Sequence, residues 1–424
     1  MGHKFPTLPL GELCASSPHA IAIGPFGSSI KTDNFVASGV PVIRGGNLGE
    51  GRFSEDNFVF LTEQKADELR NANVFAGDIV LTHRGTLGQV GIIPARGRFR
   101  RYVISQSQMK VTLDTSRVDP LFVFYFLRSP VGQDQILSYA STTGVPAIAQ
   151  PTTSLKRLVI PVPPLPEQRA ITRVLGSLDD KIELNRRMNQ TLEEICRALF
   201  KFWFVDFGPV RAKMEGRWKK GESLPGMPAD MWDLWPSEFE ESEIGEIPKG
   251  WALDTVGDLA EFRYGEPLKE RDRNGGRIPV FGSNGIIGWH DRRLVEGPGI
   301  VVGRKGNPGT VTWANGDFWP IDTTFYVVRR KESPPMDYLF YALAQLDLPS
   351  LEADSAVPGL NRRAAIGSRI VVPQPEVTSC FETMVTPLRS RVAHCLAESG
   401  TLSALRDTLI PKLLSGEIRV KVDS

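Results

Sequence analysis

Cysteine and histidine are scarce in this chain, which has four cysteines and five histidines among 424 residues. Cys196 and Cys395 fall on apolar positions of helical patterns, and Cys14 and Cys380 have no partner at the spacing of a metal site. Paired or clustered cysteines are what disulfide frameworks and zinc sites require. The sequence therefore predicts neither disulfide bonds nor a bound metal ion.

Long hydrophobic runs are also missing. No stretch approaches 18 uninterrupted apolar residues, and residues 1–10 lack a charged segment followed by an apolar run. A membrane span or a secretion signal would need one or the other. The sequence predicts a cytoplasmic protein, and its 41% of hydrophobic residues suffices for the cores of two or three domains.

Motifs of catalytic chemistry are missing as well. The chain has no G-x-x-x-x-G-K-[ST] phosphate loop, no G-x-G-x-x-G fingerprint after a strand and no Asn-Pro-Pro-aromatic motif of the adenine methyltransferase type. It also shows no convincing nuclease arrangement of carboxylates and lysine. We therefore expect a binding protein without catalytic residues, and no cofactor bound by this chain.

Charge is balanced overall but segregated along the chain. The net charge is +1, yet residues 84–110 contain six basic residues and no acidic one, whereas residues 231–246 contain six acidic residues and no basic one. Such segregation fits local phosphate-binding faces on a neutral body. It fits a solvated charged surface equally well, and charge alone does not choose between the two.

An internal repeat is the most informative feature that is present. Two apolar rows recur every seven residues in each half, at a constant offset of 210 residues as from Ile171 to Phe381. Heptad rows of this kind predict two long helices that pack on each other, with Asn185 and Asn189 as polar positions that fix the register. The first-half rows are Ile171, Leu178, Asn185, Leu192 and Leu199, and Leu175, Ile182, Asn189, Cys196 and Trp203; the second-half rows are Phe381, Leu388, Cys395, Leu402 and Leu409, and Val385, Val392, Ser399, Arg406 and Leu413.

The repeat extends into the segments before the helices. Residues 79–90 align without a gap on residues 300–311, and each reads as a buried strand, a glycine-rich turn with basic residues and a second strand. Gly144–Pro146 likewise matches Ala356–Pro358. The chain therefore holds two similar modules, which either share a role or merely share a duplicated fold.

Short elements within the modules are predicted from the spacing of apolar residues. Strands are expected at residues 40–43, 79–81, 278–281 and 325–328, and aromatic-rich helices at residues 120–127 and 337–346. The aromatic residues of these helices sit at helical spacing, so we expect them in the core and not as platforms for base stacking. The irregular segment 208–246 contains Trp218, Trp232 and Trp235, which predicts an ordered connector held down by tryptophan burial.

Several motifs resemble the specificity subunit of type I restriction-modification systems. They are residues 23–31 (IGPFGSSIK), 164–168 (PLPEQ), 192–207 (LEEICRALFKFWFVDF) and 409–418 (LIPKLLSGEI). The resemblance implies a DNA-recognition subunit that reads an interrupted, asymmetric site with two target recognition domains. It also implies partner subunits, namely methyltransferase and restriction subunits, which would use S-adenosylmethionine, ATP and magnesium.

The expected fold is mixed α/β, with two target recognition domains in a pseudo-twofold arrangement, separated by an antiparallel pair of long coiled-coil helices. The predicted domains are a first recognition domain (1–163), a central spacer helix (164–207), an ordered connector (208–246), a second recognition domain (247–375) and a C-terminal spacer helix with its tail (376–424). The 33 residues from Ile171 to Trp203 would span about 50 Å as a straight helix. Because one turn of duplex DNA is about 34 Å, the domains would reach successive major grooves.

Candidate DNA-contacting residues follow from base chemistry. Arginine pairs with guanine, and asparagine or glutamine pairs with adenine, whereas lysine mainly holds phosphate. The glycine-rich turns supply the strongest candidates, because glycine lets the backbone approach the duplex closely. These are Arg84, Gln89, Arg304, Lys305 and Asn307, followed by Lys31, Arg44, Asn47, Arg101, Gln106, Gln108, Arg263, Lys269, Arg271, Arg273, Asn284, Arg362 and Arg363.

Two other functions remain open on the sequence. A coiled-coil scaffold that binds only protein would share the helices, but it would not need basic turns in both modules. The recognition region of a self-contained restriction enzyme would require an attached methyltransferase or nuclease region, which this sequence does not contain.

Overall fold

The computed structural model describes residues 5–27, 29–49, 51–141, 144–351 and 359–421. Ser28 of the 23–31 motif and the Ala356–Pro358 copy of the repeat lie outside the described residues. The chain forms two compact units. Unit 1 comprises Met1–Arg186 and Leu396–Ser424, and unit 2 comprises Arg187–Cys395.

Unit 1 contains thirteen strands among its described residues and the start of the first long helix. Its strands are β1 (Thr7–Pro9), β2 (Ile21–Ile23), β3 (Phe35–Val36), β4 (Val40–Ile43), β5 (Val59–Leu61), β6 (Asn73–Val74), β7 (Ile79–Thr82), β8 (Val90–Ile92), β9 (Tyr102–Ile104), β10 (Gln108–Val111), β11 (Ala140–Ser141), β12 (Ala147–Ile148) and β13 (Val159–Pro161). Its helices are α1 (Glu63–Glu68), α2 (Pro120–Arg128), α3 (Pro130–Leu137), α4 (Pro151–Lys156) and the long helix α5 (Leu165–Phe204), which continues into unit 2.

Two sheets carry the core of unit 1. The first has the antiparallel order β2-β10-β7-β8, and the second has the order β3-β5-β4-β9-β6, in which β4 and β9 are parallel. Every residue of β4 and β7 is buried, as their unbroken apolar character predicts. Helix α2 begins where the Asp119 side chain accepts from the Leu121 amide and Pro120 occupies the first turn.

Unit 2 contains eleven strands among its described residues. They are β14 (Phe239–Ser242), β15 (Gly245–Pro248), β16 (Ala252–Thr255), β17 (Ala260–Tyr264), β18 (Ile278–Gly282), β19 (Gly285–His290), β20 (Gly299–Gly303), β21 (Val311–Ala314), β22 (Trp319–Pro320), β23 (Thr324–Arg329) and β24 (Arg369–Val372). Its helices are α6 (Gly208–Met214), α7 (Val256–Leu259), α8 (Met336–Gln345), α9 (Arg362–Gly367) and the long helix α10 (Pro375–Leu414), which continues into unit 1.

The two units repeat one topology. The antiparallel order β17-β23-β20-β21 of unit 2 corresponds strand by strand to β2-β10-β7-β8 of unit 1, and the pair β16-β24 corresponds to β1-β13. The parallel pair β18-β22 has its counterpart in β4-β9. The predicted duplication is therefore present in the fold and not only in the sequence.

The long helices pack against each other within unit 1. Ile171 and Leu175 of α5 share a core cluster with Ile410 and Leu413 of α10. Asn185 is fully buried, and its amide donates to Glu398 at 2.8 Å. Residues nearer the N-terminus of α5 contact residues nearer the C-terminus of α10, so the two helices run antiparallel in this unit.

Within unit 2 the other halves of the same helices pack in the same sense. The rings of Phe200 and Trp203 lie 5.6 Å and 5.8 Å from the ring of Phe381. The sulfur atoms of Met188 and Cys395 are 3.7 Å apart.

The helices α5 and α10 have 40 residues each, about 60 Å of helix. Every predicted row residue, including Leu178, Ile182, Asn189, Leu192, Leu199, Val385, Leu388, Val392, Leu402 and Leu409, is buried or half-buried.

The connector is ordered and belongs to unit 2. Trp218 and Trp235 are buried in its core, and the Trp203 and Trp235 rings meet edge to face at 5.4 Å. The Lys213 ammonium lies 3.7 Å from the Trp232 ring. Two of the three tryptophans of this segment are thus packed into the core of unit 2.

Three further observations concern the described part of the chain. No helix there is long and apolar enough to span a membrane. No three His, Cys, Asp or Glu side chains in that part come together as a metal site. Cys14, Cys196, Cys380 and Cys395 are free thiols.

Candidate nucleic-acid interface

The loops of unit 1 that carry polar side chains meet along one edge of its sheets. Strand β10 is antiparallel to both β2 and β7, so the residues after β2, before β10 and after β7 lie side by side. The Gly24 amide donates to the Gln108 carbonyl oxygen at 2.8 Å, and the His83 amide donates to the Ser107 carbonyl oxygen at 2.9 Å. We call this row of loops the turn edge of unit 1: residues 24–27, 44–47, 83–89 and 105–107.

A glycine-rich turn stands at the centre of this edge. Gly85 and Gly88 have φ angles of +96° and +84°, a left-handed conformation that only glycine adopts without strain. The Thr82 amide donates to the Gln89 carbonyl oxygen at 3.0 Å and closes the turn. Arg84 is exposed on the turn.

The equivalent turn of unit 2 repeats these contacts. Gly306 and Gly309 have φ angles of +86° and +79°, and the Gly303 amide donates to the Thr310 carbonyl oxygen at 2.8 Å. Each turn is hydrogen-bonded to the segment that precedes the next short helix. The Ile148 amide donates to the His83 carbonyl oxygen at 2.9 Å in unit 1, and the Leu360 amide donates to the Arg304 carbonyl oxygen at 2.9 Å in unit 2.

A second equivalence places a glycine where the backbones touch. A Cβ on Gly24 would lie 1.8 Å from the Ser105 carbonyl oxygen, and a Cβ on Gly265 would lie 2.4 Å from the Ile321 carbonyl oxygen. Only glycine permits these close approaches. The turn edge of unit 2 accordingly consists of residues 264–266, 283–284, 304–310 and 321–323.

Two predicted arginines of unit 2 lie against one exposed aromatic ring of the turn edge. Tyr264 is 55% exposed, with the Arg304 guanidinium 5.0 Å and the Arg362 guanidinium 5.8 Å from its ring centre. The Arg304 side chain also donates to the Asp322 carbonyl oxygen at 2.9 Å. Stacking and this hydrogen bond hold two cations at the surface in a fixed geometry.

Beside this ring lies a pair of amides. The Asn307 side chain donates to the Asn284 side chain, and the Ser283 hydroxyl lies 2.8 Å from the Thr323 carbonyl oxygen. Lys305 is exposed on the same turn. The turn edge of unit 2 thus presents amide groups that match base edges next to cations that match phosphate.

On the turn edge of unit 1 the predicted residues differ in accessibility. Arg44, Arg84 and Gln106 are exposed. Gln89 is half-buried, and its amide accepts from Thr82 at 2.9 Å and donates to the Gly45 carbonyl oxygen at 3.2 Å. Lys31 is exposed just beyond this edge, before a turn of 3-10 helix.

Burial lowers the pKa of the His83 imidazole. The main-chain carbonyl oxygen of Gln106, 3.0 Å from Nε2, raises this pKa, and the charge of Arg84 lowers it. The lowered pKa keeps this imidazole neutral at neutral pH. A carbonyl oxygen only accepts, so Nε2 is the donor in this contact. The positive charge of this turn therefore comes from Arg84 and not from His83.

Three predicted residues of unit 1 are not accessible on the turn edge, two because they are buried and one because it lies at the other end of its sheet. Asn47 is 3% exposed and donates to the carbonyl oxygens of Ser54 and Asp56, and Gln108 is 1% exposed within the sheet. Arg101 precedes β9, which is parallel to β4, so it stands at the far end of that sheet. There it forms ion pairs with Glu63 and Asp67. Composition alone did not show that these polar groups serve the fold.

The remaining predicted residues of unit 2 are dispersed. Arg263 pairs with Glu261 on the same strand at 3.0 Å, and Arg271 lies 3.8 Å from Asp272. The Arg273 guanidinium donates to the Ile287 carbonyl oxygen at 2.8 Å. Lys269 and Arg363 are exposed, the first in the segment after β17 and the second in the first turn of α9.

Sequence reasoning missed two exposed aromatic residues at the turn edges, Phe26 and Tyr264. Both flank the equivalent glycines, Gly24 and Gly265. The sequence does contain a feature that predicts this exposure. An aromatic residue inside Gly-Pro-Phe-Gly, or directly before a glycine at a strand end, has few neighbours that could bury it.

The chain was compared with known protein families and structures. A model of the type I restriction modification DNA specificity domain matches residues 23–194, which include the turn edge of unit 1. The HindI specificity subunit of Haemophilus influenzae is 25% identical over 397 residues, covering 77% of this chain and 85% of that protein. The MjaIX specificity subunit of Methanocaldococcus jannaschii is 22% identical over 386 residues, covering 85% and 82%.

The crystal structure of the S subunit of a type I restriction-modification system from M. genitalium has the same fold. The two chains superpose with a TM-score of 0.57 at 18% identity, covering 97% of this chain and 96% of that one. Two β-rich domains joined by two long helices packed together are therefore the architecture of both. The family match, the two relatives and this fold agree, and the chain belongs to the specificity subunits of type I restriction-modification systems, the DNA-recognition and non-catalytic part of these enzymes.

Proposed function

We propose that each turn edge reads one half of an interrupted, asymmetric DNA site. The observation that supports this is the pair of equivalent turns, which share their glycines and hydrogen bonds but not their side chains. Unit 1 exposes Arg84 and Gln106, whereas unit 2 exposes Lys305 and the Asn284–Asn307 pair. One scaffold with two sets of base-contacting groups suits two different half-sites.

The helices α5 and α10 then serve as the spacer between the two half-sites. Methyltransferase subunits would dock on this chain and restriction subunits would join the complex through them. Catalysis would reside in those partners, which would bind S-adenosylmethionine, ATP and magnesium. With a methyltransferase partner we expect adenine methylation on both strands of a bipartite site.

The experiment is DNA binding by the chain in complex with its methyltransferase subunit, at several salt concentrations. Single-molecule sequencing of methylated genomic DNA first supplies the site. Arg84→Ala should lower the salt slope of the binding constant by about 1, because one phosphate or base contact is lost. The matched control is Arg100→Ala, which removes an exposed arginine just before β9, at the end of that sheet away from the turn edge.

A scaffold that binds only protein predicts a different result. Its affinity for duplex DNA would not depend on Arg84 or on Arg304, and both variants would match Arg100→Ala. Methylation at a continuous palindrome would also contradict the proposal.

The spacer function has its own test. One heptad inserted after Arg186 and one after Cys395, where the units divide, would lengthen both helices by about 10 Å while preserving the apolar rows. We expect both half-site sequences to be retained and the unread spacer to widen by about three base pairs. An unchanged spacer with full activity would show that the helices do not set the distance.

A further inference from the structure

Phe26 is 78% exposed, more than any other large hydrophobic residue that the structure describes. It lies in the loop 24–27, directly after β2 on the turn edge of unit 1. Exposure of a single phenylalanine is common, but here the ring stands on the edge that carries Arg84 and Gln106. The position calls for a partner that accepts both an apolar ring and polar groups.

The loop that displays Phe26 is tied to the sheet. Gly24 touches the Ser105 carbonyl group so closely that no other residue fits there. The Phe26 carbonyl oxygen accepts from the Ser29 amide at 2.8 Å. Because both sides of Phe26 are anchored, its ring is presented by the backbone geometry.

Gln106 is the polar neighbour of this loop. Its amide oxygen lies 2.6 Å from the point where a Cβ on Gly27 would stand. Gln106 is itself exposed, and its main-chain carbonyl accepts from His83. An exposed side-chain amide thus lies over the residue next to Phe26.

These two side chains match the two partners of one base pair. In the major groove a glutamine amide pairs bidentately with N6 and N7 of adenine, and an apolar side chain such as phenylalanine contacts the 5-methyl group of thymine. We propose that Phe26 and Gln106 together read one A·T pair of the first half-site, Phe26 at the thymine methyl and Gln106 at the adenine. This inference rests on the proposed function, since it requires the turn edge of unit 1 to face the major groove.

The test uses the complex with the methyltransferase subunit and duplexes in which each thymine of the first half-site is replaced in turn by uracil. Uracil lacks only the methyl group. For the unmodified chain one replacement should weaken binding about fourfold, the effect of one buried methyl group. Phe26→Ala should bind the thymine duplex about tenfold more weakly and should no longer respond to uracil at that position.

Gln106→Ala supplies the second half of the test. Replacing the adenine of the same pair by purine, which lacks the N6 amino group, should weaken binding by the unmodified chain but not by Gln106→Ala. The matched control is Phe75→Ala. Phe75 is 51% exposed and lies between β6 and β7, at the end of β7 opposite the glycine-rich turn, so its removal should change neither response.

Several results would overturn the inference. The inference fails if Phe26→Ala binds every duplex as the unmodified chain does, or if uracil weakens binding by both proteins equally at all positions. Brightening of 2-aminopurine next to a step of the half-site, lost in Phe26→Ala, would instead indicate a ring inserted between bases. If Arg84→Ala also leaves the salt slope unchanged, the proposed function fails with it; if only the uracil response is missing, the A·T reading alone fails.

Discussion

Unit 1 and unit 2 place opposite charges at equivalent positions of their long helices. Asp179 of α5 corresponds to Arg389 of α10 at the offset of 210 residues. Each contacts an equivalent tyrosine on the short aromatic helix of its unit. The Tyr125 hydroxyl donates to Asp179 at 2.7 Å, whereas the Tyr341 hydroxyl accepts from Arg389 at 3.1 Å.

The residues that form ion pairs with Asp179 and with Arg389 lie on different elements. Asp179 pairs with Arg406 of α10 at 2.8 Å and with Arg52 of the first recognition domain at 3.6 Å, so the ion pairs of unit 1 join the two long helices to each other as well as to that domain. Arg389 pairs with Asp337 of α8 at 3.0 Å and lies 3.6 Å from the Trp313 ring. The ion pair of unit 2 therefore joins a long helix to its own recognition domain.

This difference favours pairing of α5 with α10 over pairing of either helix with a copy of itself. The residue equivalent to Arg406 in unit 2 is Cys196. Two copies of α10 in the same antiparallel register would place Arg389 against Arg406, and two copies of α5 would place Asp179 against Cys196. Like charges, or a buried carboxylate without its interhelical partner, would result, and each is costly. Divergence at these two positions after duplication thus specifies the partner of each helix.

The largest effect that tests this comparison is expected from Asp179→Asn. The Asp179 and Arg406 side chains are 8% and 14% exposed, so neutralising Asp179 leaves a mostly buried guanidinium without its interhelical partner. We expect a loss of about 3 kcal/mol in the free energy of unfolding. Urea unfolding of the full chain at pH 7 measures it.

Asp337→Asn is the matched variant in unit 2, with an expected loss of about 1 kcal/mol. Arg389 keeps its contacts with Trp313 and Phe340. Burial raises the pKa of Asp337, Arg389 lowers it and Glu382 raises it, so the ionised carboxylate is poorly stabilised at the outset. An equal or larger loss from Asp337→Asn would remove the distinction between the two junctions.

A smaller effect on stability, but a visible one on assembly, is expected from Asn185→Leu. Asn185 is fully buried and donates to Glu398 and Ser399 of α10, whereas Asn189 is half-buried. Leucine should leave the free energy of unfolding within about 1 kcal/mol, yet permit additional helix registers. Light scattering after gel filtration should show additional oligomeric species for Asn185→Leu, and fewer such species for Asn189→Leu than for Asn185→Leu. A single species for both variants would mean that Asn185 does not fix the register.

The heptad pattern predicted the helices well because their packing is local and periodic. The rows from Ile171 and from Phe381 found both helices, which begin at Leu165 and Pro375. Aligned turns found the duplicated strands, since strand, glycine turn and strand form a contiguous unit. The sheet orders escaped prediction, because the pairing of β4 with β9 depends on residues far apart in sequence.

The candidate site was predicted less completely. The basic residues of the turns lie where the aligned repeat placed them. Asn47 and Gln108, by contrast, belong to buried hydrogen-bond networks that composition does not reveal. The direction of a strand also determines which residues reach the turn edge. Arg101 precedes β9 and therefore lies at the opposite end of its sheet. Which way a strand runs is a property of the whole sheet.

The smallest difference between the two junctions is expected from Tyr125→Phe and Tyr341→Phe. Tyr125 donates to a carboxylate, so its loss should cost about 2 kcal/mol at pH 7, against about 1 kcal/mol for Tyr341, which accepts from a guanidinium with other contacts and also interacts with the Cys196 thiol, a weak hydrogen-bonding group. Burial raises the pKa of both hydroxyls; Asp179 raises that of Tyr125 further, and Arg389 lowers that of Tyr341. A raised pKa means that only the unfolded chain ionises just above pH 10, so this contribution to stability is complete below that pH and is lost as the pH rises. Both variants should therefore lose less stability than the unmodified chain between pH 9 and 11 in urea unfolding, and a steeper decline in either would show that its hydroxyl is not protonated in the fold.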